Sequence, residues 1–224
     1  MKKSALYFLT YASMIGFFAI LLGLIFVPAG SWSFALGWVW WVSFCGATLA
    51  VTAWFLRADP ALIKRRVLPS ETRPRQIAGQ SAAALLFALL VAVPALDHRF
   101  GWTEVPLAVS AVSDGLVLGG FLLVFEVFRE NTFASRAIET MSRQTVVKTG
   151  VYAKVRHPMY SGAALIILAT PPALGSWAGL ALSVPLLAVI VLRILDEETL
   201  LTNELEGYRE YCEETKYRLI PRVW

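Results

Sequence analysis

The sequence predicts an all-α protein, a polytopic membrane helical bundle of about six spans that includes a C-terminal helical hairpin, followed by a cytosolic C-terminal helix. Hydrophobic residues make up 57% of the 224 residues, charged residues only 16%, and there are eight tryptophans, which is outside the range of soluble globular domains. Long apolar runs alternate with charged connections. The basic residues therefore form no single stripe of the kind that nucleic-acid-binding proteins present.

Four apolar runs in the first part of the chain predict the first four spans. Each is long enough to cross about 30 Å of hydrocarbon at about 1.5 Å per residue. The first run is too long for a secretory signal, so we expect it to stay as a span. The runs cover residues 5–27, 32–56, 77–96 and 105–128, and are joined by a turn at 28–31, a charged loop at 57–76 and a short connection at 97–104. Residues 1–128 thus form a four-span N-terminal membrane region.

Residues 129–224 are predicted to form the catalytic region, which begins with a polar stretch at 129–156. An apolar run then starts at Pro158, and proline at the first helical position is a helix start signal. Pro171 and Pro172 should break this run before it resumes at 174–195, because a double proline disfavours a continuous helix. A helical hairpin results. From Asp196 we expect one charged helix, with an apolar stripe through Cys212, lying against the cytosolic face.

The basic residues predict the orientation. With six spans, 19 of the 20 Lys and Arg residues fall on one side, and the positive-inside rule makes that side cytosolic. Both termini are then cytosolic, and we expect a multi-pass protein of a prokaryotic-type inner or plasma membrane.

Two acids lie inside the fourth predicted span, where a lone carboxylate facing lipid is costly. Glu126 is one turn from Arg129, and an interfacial ion pair and a role in a site are both open. Asp114 either carries a proton or pairs with a polar group on another span. The two cysteines have neither the number nor the spacing for a disulfide framework or a zinc site, and we predict no metal.

A cationic corner stands at the start of the hairpin. We expect His157 to cap the helix that begins at Pro158, and Arg156 with the free N–H groups of the first turn to favour a carboxylate or phosphate. The hairpin brings the acidic pair Glu197 and Glu198 back beside this corner. Such a juxtaposition suits a zwitterionic ligand.

The last 90 or so residues resemble the superfamily of isoprenylcysteine carboxyl methyltransferases and phospholipid N-methyltransferases. The similarity rests on V-V-K-T-G-V-Y-A-K-V-R-H-P-M-Y-S-G at 146–162, the broken apolar hairpin, the acidic pair, G-Y-R-E-Y at 207–211 and R-L-I-P at 218–221. The resemblance implies an integral membrane enzyme that uses S-adenosylmethionine without a Rossmann domain. In agreement, no G-x-G-x-x-G follows a plausible strand.

The resemblance also implies site residues. Arg193, four residues before Glu197, would lie at the substrate; a gap-free alignment would place Leu192 and Asp196 there instead, and the paired charges favour Arg193 and Glu197. Together with the cationic corner, the candidate cofactor-binding residues are Gln144, Val147, Tyr152, Arg156, His157, Pro158, Tyr160, Glu197 and Glu198.

The chemistry needs little acid–base help, since the methyl group of a sulfonium is already activated and transfers in line once donor and acceptor are aligned at about 3 to 3.5 Å. A carboxylate or thiolate acceptor needs a cation such as Arg193, whereas an amine must lose a proton to a carboxylate or to Tyr208. We expect an amphiphilic or lipid-like acceptor. The small residues at 161–164 are typical of close helix packing in membranes, and a run of four also allows a slot between spans for the acceptor tail. The alternatives are an NADPH-dependent sterol-type reductase and a membrane transporter or scaffold, and the acceptor and oligomeric state stay open.

Overall fold

The computed structural model describes residues 2–68, 74–133 and 145–224, and within these ranges every regular element is helical. An all-α fold is thereby confirmed. The helices are α1 (Lys3–Ala29), α2 (Ala35–Ala58), α3 (Pro60–Val67), α4 (Pro74–Phe100), α5 (Leu107–Glu130), α6 (Pro158–Ala173), α7 (Leu180–Glu204) and α8 (Tyr208–Glu214), with a single 3-10 turn at Gly150–Ala153.

Four helices are long and apolar enough to cross a membrane: α1, α2, α4 from Gln76 onward, and α5. They coincide with the first four predicted spans. The 16 residues of α6 extend only about 24 Å at 1.5 Å per residue, and α7 is charged in its second half. Six spans therefore remain a prediction. The predicted loop at 57–76 contains α3, whose first turn is capped by Asp59, with the Leu62 N–H donating to Oδ1 at 3.0 Å.

The break between the two arms of the hairpin lies later in the chain than predicted from the double proline. Helix α6 continues through Pro171 and Pro172 to Ala173, and the second arm starts at Leu180 instead of 174. Pro171 has no N–H for the carbonyl of Ile167, four residues earlier. The Ser183 hydroxyl of α7 donates to that carbonyl at 3.2 Å. The neighbouring helix thus supplies the hydrogen bond that the proline removes.

The prediction of a single charged helix that begins at Asp196 is wrong. Asp196 lies within α7, which continues unbroken to Glu204, and a separate short helix, α8, begins at Tyr208. Between them Gly207 has φ +80°, the left-handed region that glycine enters without steric cost. The predicted stripe through Cys212 is therefore divided by a turn.

Helices α5 and α6 pack backbone against backbone. A Cβ placed on Gly120 would lie 2.8 Å from the Gly162 carbonyl oxygen, and a Cβ on Gly162 would lie 2.9 Å from the Gly120 oxygen. Small residues of this kind let helices approach closely in membranes. The predicted acceptor slot at 161–164 is thus wrong at Gly162, because the space is filled by α5.

Three acidic side chains of the bundle have partners that the sequence alone did not identify or left open. The Ser43 hydroxyl of α2 donates to Asp114 Oδ2 at 2.7 Å, which identifies the partner on another span. Glu126 and Arg129 of α5 form an ion pair at 2.6 Å, in which Arg129 is exposed and Glu126 is half-buried. Asp97, buried at the end of α4, accepts hydrogen bonds from Thr103 and from Ser176. These last contacts join the α4–α5 and α6–α7 connections at one end of the bundle.

Candidate functional site

Glu198 on α7 contacts Arg156 and His157 at the start of α6, and Arg218 of the C-terminal segment. Its Oε1 accepts from Arg156 Nε at 2.7 Å and lies 3.2 Å from His157 Nε2, while Oε2 accepts from Arg218 Nε at 2.8 Å. Arg156 and His157 are only 8% and 5% exposed. The hairpin therefore does bring the acidic pair to the cationic corner, as predicted, and the anion held by that corner is the protein's own Glu198.

This pairing stabilises the ionised form of Glu198. Burial by itself would raise the pKa of the carboxyl group, but hydrogen bonds from His157, Arg156 and Arg218 outweigh it and lower the pKa to about 2. Hydrogen bonds to the charged form act in this direction. Glu198 is therefore an anion throughout the physiological pH range.

The C-terminal segment closes over the same corner. The backbone N–H groups of Arg156 and His157 donate to the carbonyls of Tyr217 and Arg218, each at 2.9 Å. A terminal nitrogen of Arg156 also donates to the carbonyls of Thr215 and Lys216, at 2.8 and 3.0 Å. Residues 215–218, which we call the C-terminal strap, are thereby fixed to the turn before α6.

His157 occupies the N-cap position of α6, as predicted, but its side chain makes no capping hydrogen bond. The ring contacts Glu198 instead, while the backbone carbonyl of His157 accepts the N–H groups of Tyr160 and Ser161 at 3.0 and 3.1 Å. Pro158 is buried at the first helical position. The position was predictable from the proline, whereas the direction of the ring depends on the tertiary contact.

A second network surrounds the hydroxyl of Tyr160. That hydroxyl donates to Glu197 Oε2 at 2.7 Å and accepts from Arg193 Nε at 2.9 Å. Arg193 also reaches Gln76 Oε1 at 3.4 Å, and the Gln76 amide donates to Asp196. Arg193 and Glu197, one turn apart on α7, therefore meet at one phenol of α6.

Tyr152 in the 3-10 turn is held from two sides. Its hydroxyl accepts from Asn131 Nδ2 at 2.9 Å, and its backbone carbonyl accepts from the Tyr211 hydroxyl at 2.7 Å. Burial raises the pKa of the Tyr152 phenol to about 12, and the charges of Glu197 and Glu130 add to the effect. The structure thus adds Asn131 and Glu130, which no pattern in the sequence singles out.

Tyr208, the predicted alternative base, is buried at the start of α8 with 4% exposure. Its hydroxyl makes no hydrogen bond of ordinary geometry within the described residues, and the nearby Cys212 thiol is only a weak acceptor. Burial first, and then the Glu198 charge, raise the pKa of this phenol well above its usual value. A neutral phenol of this kind is suited to donating a hydrogen bond.

The loop before the 3-10 turn lies against the α7–α8 connection. A Cβ placed on Gly207 would be 4.0 Å from a methyl of Val146, the neighbour of the predicted site residue Val147. Gln144, another predicted site residue, lies outside the described residues. Among the residues described, no group of three or more His, Cys, Asp or Glu side chains could hold a metal ion.

Comparison with known proteins gives one family match. Residues 109–207 match the family model described as phospholipid methyltransferase, a stretch that covers most of α5, the 3-10 turn, α6 and α7. No curated protein matches the chain. The matched stretch contains both networks around Glu197 and Glu198, apart from the contributions of Gln76 and Arg218.

Proposed function

Residues 109–207 belong to the membrane methyltransferase superfamily that includes the phospholipid methyltransferases, and from this premise we propose that the protein is an S-adenosylmethionine-dependent methyltransferase of an amphiphilic acceptor. The observation that carries the proposal is the Tyr160 hydroxyl, which joins Arg193 and Glu197 at 2.9 and 2.7 Å. A cation, an anion and a phenol meet there at the point where α7 changes from apolar to charged.

The residues present fit the cofactor. S-adenosylmethionine carries an ammonium group, a carboxylate and ribose hydroxyls, and needs both donors and acceptors. Buried atoms without hydrogen-bond partners in the described chain include the Tyr208 hydroxyl, a donor, and Glu130 Oε2, an acceptor. Tyr152, Tyr160 and Glu197 complete the proposed pocket, and Val147 contributes from the loop that precedes the 3-10 turn. When bound there, the cofactor supplies an activated methyl group.

The chain's own residues then have three tasks. Arg193 orients an anionic head group, or Glu197 accepts the proton of an amine, so that the acceptor is aligned for attack. The neutral Tyr208 phenol donates a hydrogen bond to the cofactor. Arg156, His157 and Glu198 hold the C-terminal strap in place, and the strap excludes water from the polar end of the site.

The test of this assignment is isothermal titration of the detergent-solubilised protein. We expect S-adenosylmethionine to bind and NADPH, the cofactor of a sterol-type reductase, not to bind. Tyr160→Phe and Glu197→Gln should weaken binding of S-adenosylmethionine about 10- to 100-fold, because each removes a charge-assisted hydrogen bond worth about 1.5 to 3 kcal/mol. Asp59→Asn, at the cap of α3, serves as the control. Binding of NADPH, or unchanged affinity in both variants, would refute the assignment.

The acceptor is proposed to lie with its tail in the bilayer. Leu192 and Leu195, on either side of Arg193, are 58% and 43% exposed, and Val184, near the start of α7, is 70% exposed. Each buried CH₂ contributes about 0.8 kcal/mol. With a fixed head group, kcat/KM should therefore rise steeply with the length of the acceptor tail. Equal efficiency for short, water-soluble acceptors would rule out a lipid-like substrate.

We also propose six spans with both termini cytosolic. The α1–α2 connection lies at the same end as the α4–α5 and α6–α7 connections, since Phe34 stacks on His98 near the end of α4. These three connections carry Trp32, Trp102 and Trp177, which are 65%, 54% and 41% exposed, and exposed tryptophans are typical of a membrane interface. Basic residues concentrate at the other end. In a Cys212→Ser background, a cysteine at Trp102 should react with an impermeant maleimide from outside, and one at Glu206 only after permeabilisation. Labelling of the Glu206 position from outside, and of the Trp102 position only after permeabilisation, would show the opposite topology.

A further inference from the structure

Glu130, the last residue of α5, is held in an unusual position. Its carboxylate lies directly against Gly150, where an added Cβ would come within 1.6 Å of Oε1, and Gly150 itself has φ +55°. This backbone conformation favours glycine, and the absence of a side chain at Gly150 leaves the space that the Glu130 carboxylate occupies. The end of a helix carries partial negative charge and disfavours a carboxylate. The fold therefore places an anion where the local electrostatics oppose it.

One oxygen of this carboxylate is buried and lacks a donor. Glu130 Oε2 has no hydrogen-bond partner in the described part of the chain. The adjacent Asn131, which could have donated, gives its amide to the Tyr152 hydroxyl at 2.9 Å. Leaving a buried charged oxygen unpaired costs more than leaving a neutral one. The arrangement is expected for a group that receives its partner from a ligand.

Glu130 also belongs to the candidate cofactor site by position. Its carboxylate contacts Gly150, which lies in the same 3-10 turn as Tyr152, and the next residue, Asn131, donates to the Tyr152 hydroxyl. Hydrogen bonds from Asn131 and Tyr211 hold Tyr152 between the end of α5 and α8. A carboxylate at this edge of the proposed site favours a cationic group of the ligand through its charge.

We propose that Glu130 is a further cofactor-binding residue, whose carboxylate binds a positively charged group of S-adenosylmethionine. The proposal rests on the proposed function and extends it to a residue of α5, outside the R-H-P-M-Y turn and the acidic pair. Two groups of the cofactor have the required charge: the ammonium and the sulfonium. Only the ammonium is retained in S-adenosylhomocysteine, the product of methyl transfer.

Calorimetric titration of the detergent-solubilised protein with S-adenosylmethionine and with S-adenosylhomocysteine tests the proposal. Glu130→Gln should weaken binding of S-adenosylmethionine about 10- to 100-fold. Glu126→Gln, one turn earlier and in an ion pair with the exposed Arg129, should leave the affinity unchanged. An equal loss for S-adenosylhomocysteine locates the contact at the ammonium, and a loss confined to S-adenosylmethionine locates it at the sulfonium.

Two results separate the proposals from each other. If the wild-type protein fails to bind S-adenosylmethionine, the proposed function falls. If the wild type binds and Glu130→Gln binds equally tightly, the role of Glu130 is overturned. The melting temperature of the unliganded Glu130→Gln variant gives a readout independent of the cofactor, and should equal or exceed that of the wild type, since a buried unpaired charge is removed. A lower melting temperature combined with unchanged affinity would show a purely structural role.

Discussion

Replacing Glu198 with alanine is expected to lower the free energy of unfolding by about 3 to 5 kcal/mol, the cost of breaking a buried ion pair from one side. The substitution leaves Arg156 and His157, which are 8% and 5% exposed, without their anion. It also releases Arg218, and with it one attachment of the C-terminal strap. The effect should be measurable as reduced stability in detergent and as faster proteolysis of the C-terminal segment.

Glu206→Ala is the control for this prediction, because Glu206 is exposed in the connection between α7 and α8. Surface substitutions of this kind change stability by about 0.5 kcal/mol or less. If Glu198→Ala were as stable as Glu206→Ala, the ion cluster would contribute nothing and the strap would be held by its backbone hydrogen bonds alone.

The same cluster predicts an acid limit to stability. The pKa of Glu198 is lowered from 4.5 to about 2 in the folded protein. The carboxylate form of Glu198 is therefore more stable in the folded state than in the unfolded chain, and it stabilises the fold. This contribution to stability is fully present at pH values above the pKa of the unfolded chain, and it is lost as the pH falls from about 4.5 toward about 2. The Glu198→Ala variant should lose less stability than the wild type over that interval.

Features that depend on local pattern could be predicted from the sequence. The apolar runs gave the four long helices, since length and hydrophobicity alone determine them. Pro158 gave the start of α6, because proline has a fixed φ and no N–H to lose. The helical spacing of Arg193 and Glu197 placed them on one face, and both meet Tyr160 in the structure.

Features that depend on contacts between distant elements could not be predicted. Gln76 is 117 residues from Arg193, and an amide at the end of a charged loop has no periodicity that would single it out. Where α6 continues through Pro171, the carbonyl of Ile167 accepts a hydrogen bond from a hydroxyl of α7, and no local pattern predicts that contact. Glu130 resembles any polar residue at a helix end until its contact with Gly150 is seen.

The role of the small residues was decided by packing, since sequence alone allowed both a slot and a close helix contact. Only the neighbouring helix distinguishes them, and at Gly162 it lies within contact of the backbone. The same comparison separates two adjacent glycines of α5, Gly119 and Gly120, which no local pattern tells apart.

Substituting alanine at Gly120 should lower the free energy of unfolding by about 1 to 3 kcal/mol, the usual cost of overpacking. The new Cβ would lie 2.5 Å from Ile166 Cγ1 and 2.8 Å from the Gly162 carbonyl oxygen. The backbone oxygen cannot move without shifting α6, so the pairing of α5 with α6 must loosen. Gly119→Ala is the matched control, because its Cβ would meet only Leu165 Cδ2, at 3.9 Å, and alanine is the better helix former by about 1 kcal/mol. Denaturation in mixed detergent should therefore give opposite signs for the two variants, and equal stability would contradict the close contact between α5 and α6. Since α6 carries Tyr160 and follows directly from His157, Gly120→Ala should also weaken cofactor binding, whereas Gly119→Ala should not.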